Sequence, residues 1–156
     1  TRGVYRVHQF SKVEQVVICE ADSETSHQMH MKLLANSEKL LQALKLPYRV
    51  MLGCTAEIGL GKVRMHEVET WMPSREAYSE THSCSSLHDF QARRLKIRYR
   101  DDDGKVKICH TLNNTAVASP RILIPILEHY QNEDGSVDVP EVLQKYMYGL
   151  TRLMPV

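Results

Sequence analysis

The sequence lacks most of the features that announce a function at a glance. Its net charge is only +1 over 156 residues, so the whole-chain field does not point to nucleic acid, and any polyanion must be held by local arginines. No apolar run approaches the roughly 20 residues a membrane-spanning helix needs. The four cysteines, Cys19, Cys54, Cys84 and Cys109, form no CxxC pair. They read as reduced thiols of an intracellular compartment. A zinc site built from His82, Cys84, Cys109 and His110 would fit no finger or ribbon spacing. The glycines of TAEIGLGK, residues 55–62, match neither a P-loop nor a dinucleotide fingerprint. The opening TRGVYRVHQF carries no targeting signal and no helix cap. It reads as a piece that begins inside a domain.

What is present suffices for one domain or part of one. Hydrophobic residues make up 42% and charged residues 25%, enough for a core and ordinary for a soluble chain. Residues 4–20, rich in Val, Tyr and Ile, read as a strand. If it is uninterrupted, period two puts Phe10, Lys12, Glu14, Val16 and Ile18 on one face. Phe10 and Glu14 then stand about 13–14 Å apart at ~3.4 Å per residue, roughly the span of a nucleoside joined to an amino acid through one phosphate. The plain alternative is a core phenylalanine and a solvated edge carboxylate.

Residues 24–45 read as a helix with a stripe of Met31, Leu34, Leu41 and Leu44, widened by Leu33 and Leu40 and ended before Pro47. Strands follow at 48–54, 63–72 and 76–83, then a turn or short helix at 85–92. Arg94 to Arg100 and Lys105 to Leu112 read as a hairpin across Asp101-Asp102-Asp103-Gly104, with Asp-Gly as the turn signal. Its alternation gives one buried face (Leu95, Ile97, Tyr99) and one basic face. Ser119-Pro120 opens a helix with serine as cap, which places Arg121 in its first turn. An arginine there opposes the helix dipole, so an anion should compensate it. PEVLQKYM closes the chain as a short helix or turn. Antiparallel strands with flanking helices give an α+β fold.

The chemistry concentrates in EAYSETHSCSSLHDFQARR, residues 76–94. A glutamate, serines and the pair Arg93-Arg94 lie beside a strand. Carboxylate and hydroxyl oxygens suit Mg²⁺, and guanidinium forks suit phosphates. Two companions strengthen this reading: RVHQFSKVE near the start and HTLNNTAVASPRIL near residue 115.

Together these stretches resemble the carboxy-terminal part of the catalytic domain of a class II seryl-tRNA synthetase, of the bacterial or mitochondrial kind. RGVYRVHQFSKVE is similar to the second half of the family's motif 2. ETHSCSSLHDFQARR is similar to its metal- and ATP-binding strand, and HTLNNTAVASPRIL to its motif 3. PYRV and YQNEDGSVDVPEVLQKYM also fit. The resemblance covers essentially the whole chain, 1–156, and implies a partial class II synthetase catalytic fold. It implies that Phe10 stacks on adenine and that the backbone of Val7 reads the base edge. Arg121 closes over the other adenine face and reaches the γ-phosphate. Glu80 and Ser83 hold Mg²⁺, with Thr81 and His82 lining the nucleotide. Glu14 and Thr115 take serine through its amino group and hydroxyl, and Asn113 supports that pocket. Arg121 and Glu80 are the implied catalytic residues.

The implied substrates and partners are L-serine, ATP, tRNA(Ser) and, in the full-length protein, a second copy; no membrane is involved. The implied compartment is the cytoplasm or the mitochondrial matrix. Ala56-Glu57 departs from the family's usual Gly-Asp, a change that touches none of these roles. The first strand of motif 2, motif 1, the TxE serine-binding loop and the tRNA-gripping coiled coil are not in the sequence. Two other readings stay open. One is a synthetase-like paralogue that no longer charges tRNA and serves in binding or assembly. The other is a generic nucleotide-binding α+β module, which leaves the match of Glu14, Asn113 and Thr115 without a reason.

Overall fold

The computed structural model describes residues 3–155. Thr1 and Arg2, where the motif 2-like stretch opens, lie outside the described residues, as does Val156. Five strands, all paired antiparallel, form the central sheet: β1 (Lys12–Cys19), β2 (Tyr48–Leu52), β3 (Arg64–Met72), β4 (Ala77–Ser86) and β7 (His110–Ala118), in the order β1-β7-β4-β3-β2. A separate two-stranded ribbon joins β5 (Arg98–Arg100) to β6 (Val106–Ile108), and a second joins β8 (Val137–Asp138) to β9 (Arg152–Leu153). Helices α1 (Ser23–Ala43), α2 (Phe90–Leu95), α3 (Ser119–Tyr130) and α4 (Glu141–Gln144) complete the fold. The α+β expectation holds.

Helix α1 starts where Asp22, extended at φ −123°, accepts a 2.7 Å bond from the backbone N–H of Thr25. That satisfies one of the amides the first turn leaves without a partner. Leu33, Leu34 and Leu41 of α1 and Leu44 just past it enter one cluster with Val68, Cys84, Leu112 and, from α3, Ile122. Met31, placed in the stripe by its spacing, is 43% exposed instead. The Tyr130 hydroxyl at the end of α3 donates to the Leu44 carbonyl at 2.8 Å, tying the two helices together.

Three sequence expectations are corrected. The first strand begins at Lys12; residues 3–6, 8 and 9 form turns and bends, and Val7, Phe10 and Ser11 are irregular. Its partner β7 ends at Ala118, opposite Lys12, and turns into α3. Residues 4–11 therefore have no ladder to join, and the strand-based spacing of Phe10 and Glu14 does not apply. A bulge between Val13 and Glu14 further shifts the register. Second, the hairpin is shorter than read. Its Asp-Gly turn is present, but Arg94 and Leu95 belong to α2 and residues 110–112 to the central sheet. Leu95 is 69% exposed, so there is no buried face starting at that residue. Third, Ala118 is the cap of α3 and Ser119 its first residue, with no side-chain capping bond. Helix α1 also buries a titratable side chain, His30.

His30 Nε2 lies 2.7 Å from His66 Nδ1 on β3. One ring must donate and the other accept, and protonating both would set two cations in contact. Burial, then the His66 charge, pushes His30 down to about 4 from its ordinary 6.5. Burial does the same to His82, also to about 4, and lowers His66. A depressed folded-state value means that the unfolded chain takes up protons first as pH falls. The stability these imidazoles confer is complete above pH 6.5 and is lost as pH falls toward about 4. Thermal melts across pH should show a flat Tm above 6.5 and a steep fall below it. A Tm that ignores pH across that window would contradict this account.

Candidate functional site

Strand β7 carries the polar side chains that the site needs, and alternation sorts them. Asn114 is fully buried on the helix-covered face. Its Oδ1 accepts from Ser37 Oγ on α1 at 2.8 Å and from Gln15 Nε2 on β1, and its Nδ2 donates to the Ser83 carbonyl at 3.1 Å. Asn113 and Thr115, one position either side, therefore face the opposite surface of the sheet. The register sets Thr115 against Glu14 and Asn113 against Val16.

On that surface Thr115 Oγ1 donates to Glu14 Oε2 at 3.1 Å. Lys12 Nζ lies 2.7 Å from the same carboxylate oxygen and 3.3 Å from Thr115 Oγ1. Lys12 is a site residue that the sequence reading placed on this face without giving it a role. Its signal was the i, i+2 spacing from Glu14 on a strand. In the absence of another cation, its ammonium neutralises the carboxylate.

A cavity of about 240 Å³ opens beside this group. Its wall includes Val7 and Phe10 before β1, Glu80, Thr81, His82 and Ser83 on β4, Thr115 on β7, and Arg121 in the first turn of α3. Phe10 is 49% exposed, an apolar ring left open on the cavity rather than spent in the core. Arg121 Nη1 bonds Glu80 Oε2 at 2.9 Å. The helix-dipole conflict expected at Arg121 is thus met here by a carboxylate of the chain itself.

The structure refines several expected roles. Thr81 and His82 are buried residues of the wall; side-chain bonds join Thr81 to His82 and to Thr70, while His82 Nε2 has no hydrogen-bond partner among the described residues. Thr81 Oγ1 lies 2.8 Å from His82 Nδ1 and 2.7 Å from Thr70 Oγ1. Glu14 and Asn113 lie outside the wall itself; Glu14 connects to it through Lys12 and Thr115, which both line it. Arg93 and Arg94 do not reach the cavity. Arg93 pairs with Asp89, and Arg94 folds over the Phe90 ring with its guanidinium carbon 3.6 Å from the centre. Loop 55–62 packs on the same ring, where a Cβ at Gly61 would meet Phe90 at 2.3 Å. That loop and α2 form a structural unit away from the cavity. Tyr5 and Arg6 also line the cavity. No local sequence signal marked Tyr5, because its contacts with Arg75, Glu80 and Arg121 lie 70 or more positions away.

A carboxylate that has drawn in a guanidinium, beside a serine hydroxyl on the same strand, is a donor set that fits a hard cation such as Mg²⁺. Among the described residues no group of three or more His, Cys, Asp or Glu could hold a metal on its own, which removes the zinc arrangement of His82, Cys84, Cys109 and His110. All four cysteines are free, and burial pushes the Cys84 thiol up to about 12. Among the described residues no helix is long and apolar enough to cross a membrane.

Comparison with known proteins adds three findings. The family model of the tRNA synthetase class II core domain (G, H, P, S and T) matches residues 1–130. A serine–tRNA ligase of Deinococcus radiodurans is 57% identical over 148 residues, which are 95% of this chain and 35% of that protein. Two solved structures share the fold throughout. The seryl-tRNA synthetase of Pyrococcus horikoshii complexed with ATP gives a TM-score of 0.94 at 45% identity, covering 100% of this chain and 34% of that one. The cytoplasmic serine–tRNA ligase of Naegleria fowleri in complex with AMP gives 0.89 at 38% identity, covering 97% and 36%. The chain spans about a third of the length of the relatives it matches.

Proposed function

The chain belongs to the tRNA synthetase class II core-domain family, and we propose that it is the carboxy-terminal portion of the catalytic domain of a serine–tRNA ligase. The observation that carries this reading is convergence. Phe10, Glu80, Ser83, Thr115 and Arg121, spread over more than a hundred positions, line one cavity, with Glu14 bonded to its wall.

In this reading Phe10 and Arg121 take the two faces of adenine, and the backbone of Val7 reads its edge. Such stacking and cation–π contact contribute about 1–2 kcal/mol in a desolvated site. Glu80 and Ser83 would hold Mg²⁺, which would supply charge neutralisation for the phosphates. Thr81 and His82, both in the cavity wall, line the nucleotide. Glu14 receives the ammonium of serine in place of Lys12, Thr115 meets its hydroxyl, and Asn113 supports that pocket from the same face of β7.

The serine carboxylate attacks the α-phosphorus of ATP and pyrophosphate leaves, giving seryl-adenylate. The terminal ribose of tRNA(Ser) then takes the seryl group and AMP leaves. No side chain need become a covalent nucleophile; the residues position the reactants and Arg121 offsets negative charge. Alanine is rejected because it leaves buried hydroxyl-reading groups unpaired, a discrimination on the order of 10⁴. The full-length protein works as a homodimer, in the cytoplasm or the mitochondrial matrix.

The test is serine-dependent ATP–pyrophosphate exchange by the full-length protein and by residues 1–156 alone. Exchange by the full-length protein only is the expected result. A folded full-length protein without exchange would move the reading to a paralogue that binds or assembles without charging tRNA.

A further inference from the structure

Arg121 has a second anchor beside Glu80. Its guanidinium carbon lies 4.7 Å from the centre of the Tyr5 ring. The ring is itself pinned in place. The Tyr5 hydroxyl donates to the Glu80 carbonyl at 2.8 Å, and the Arg75 guanidinium carbon lies over the same ring at 4.4 Å. Arg75 is in turn bonded to Ser79 Oγ at 3.0 Å. Tyr5 sits in a turn ahead of β1, outside any strand or helix. These contacts, and not a backbone ladder, hold it against β4.

The arrangement bears on a conflict within the site. Glu80 Oε2 is engaged by Arg121. An oxygen shared with a guanidinium is a poorer ligand for a divalent cation, because the two positive charges repel at contact distance. When a cation takes Glu80, Arg121 loses its ionic partner. The π face of Tyr5 remains beside it and attracts a guanidinium without competing for Glu80. We propose that Tyr5 is the positioning residue for Arg121: its ring keeps the guanidinium at the cavity as Glu80 passes to the cation of a bound nucleotide. The proposal rests on the reading of the cavity as an ATP site.

The experiment compares Tyr5→Leu, Tyr5→Met and Tyr5→Phe with wild type in the full-length ligase. It measures KM for ATP and for serine in pyrophosphate exchange, equilibrium binding of ATP with Mg²⁺, and Tm. Leucine and methionine fill space without a π face, so either serves if the other fails to fold. Both are expected to raise KM for ATP about tenfold, the loss of one partly desolvated cation–π contact, with KM for serine unchanged. Phenylalanine keeps the ring and should recover most of the loss. A wild-type KM for ATP in the leucine or methionine variant would overturn the proposal. So would a phenylalanine variant as impaired as leucine, since the hydroxyl would then be the part that matters. A fall in Tm with both KM values raised together would assign Tyr5 a merely structural role and overturn it too. Wild type that neither binds ATP nor exchanges pyrophosphate would instead remove the ATP-site reading, a separate failure.

Discussion

Arg121→Ala in the full-length protein is expected to lower serine-dependent ATP–pyrophosphate exchange by a factor on the order of 10³ or more, the scale of an arginine that stabilises a transferring phosphoryl group. Two features of the structure make the effect large. Arg121 stands in the first turn of α3, where a positive side chain is disfavoured by the helix dipole, so the position is not explained by helix stability. Its guanidinium also points into the cavity and meets the one carboxylate on its wall. Alanine would remove the charge and release Glu80, while Pro120 and Ile122 keep α3 docked in the core. The loss should fall on KM for ATP and on kcat together, since in the proposed reading the arginine closes over adenine in the ground state and offsets charge on the departing pyrophosphate. Exchange within tenfold of wild type would refute the role given to Arg121.

Glu14→Ala should raise KM for serine by roughly 10²–10³, far more than KM for ATP. Glu14 Oε2 is where Lys12 and Thr115 converge, at 2.7 and 3.1 Å. Without the carboxylate, Lys12 becomes an unpaired cation where the serine ammonium should arrive, so repulsion adds to the lost attraction. In the proposed reading ATP is held further along the cavity by other residues and should be little affected. Equal effects on both substrates would remove the serine-pocket assignment. Because Lys12 already pairs with Glu14, serine in the proposed reading would exchange with an internal ion pair rather than meet a bare carboxylate. The sequence reading did not anticipate that exchange.

Local pattern reached a good part of this molecule. The leucine repeat of α1 and the Asp-Gly turn at 103–104 are short-range signals, and the structure keeps them. The same short range explains the misses. Residues 4–11 have strand-like composition, but a strand exists only where a neighbour can pair with it, and β7 ends at Ala118. Arg93 and Arg94 have the right chemistry for phosphate, but α2 carries them to Asp89 and Phe90 instead.

The sequence by itself determined the α+β composition, the helical stripe and the set of residue types that match a class II seryl-tRNA synthetase. Only the tertiary structure decided which of them meet. Arg121 pairs with Glu80 across 41 positions, Thr115 bonds Glu14 across 101, and Tyr5 reaches Glu80 across 75. It also decided that Asn114 is the buried hub of β7, while its neighbour Asn113 faces the site's side of the sheet. The physical reason is register. One step along a strand turns a side chain to the other face, and one bulge resets every pairing beyond it. Both depend on which strands lie side by side, and local periodicity does not carry that information.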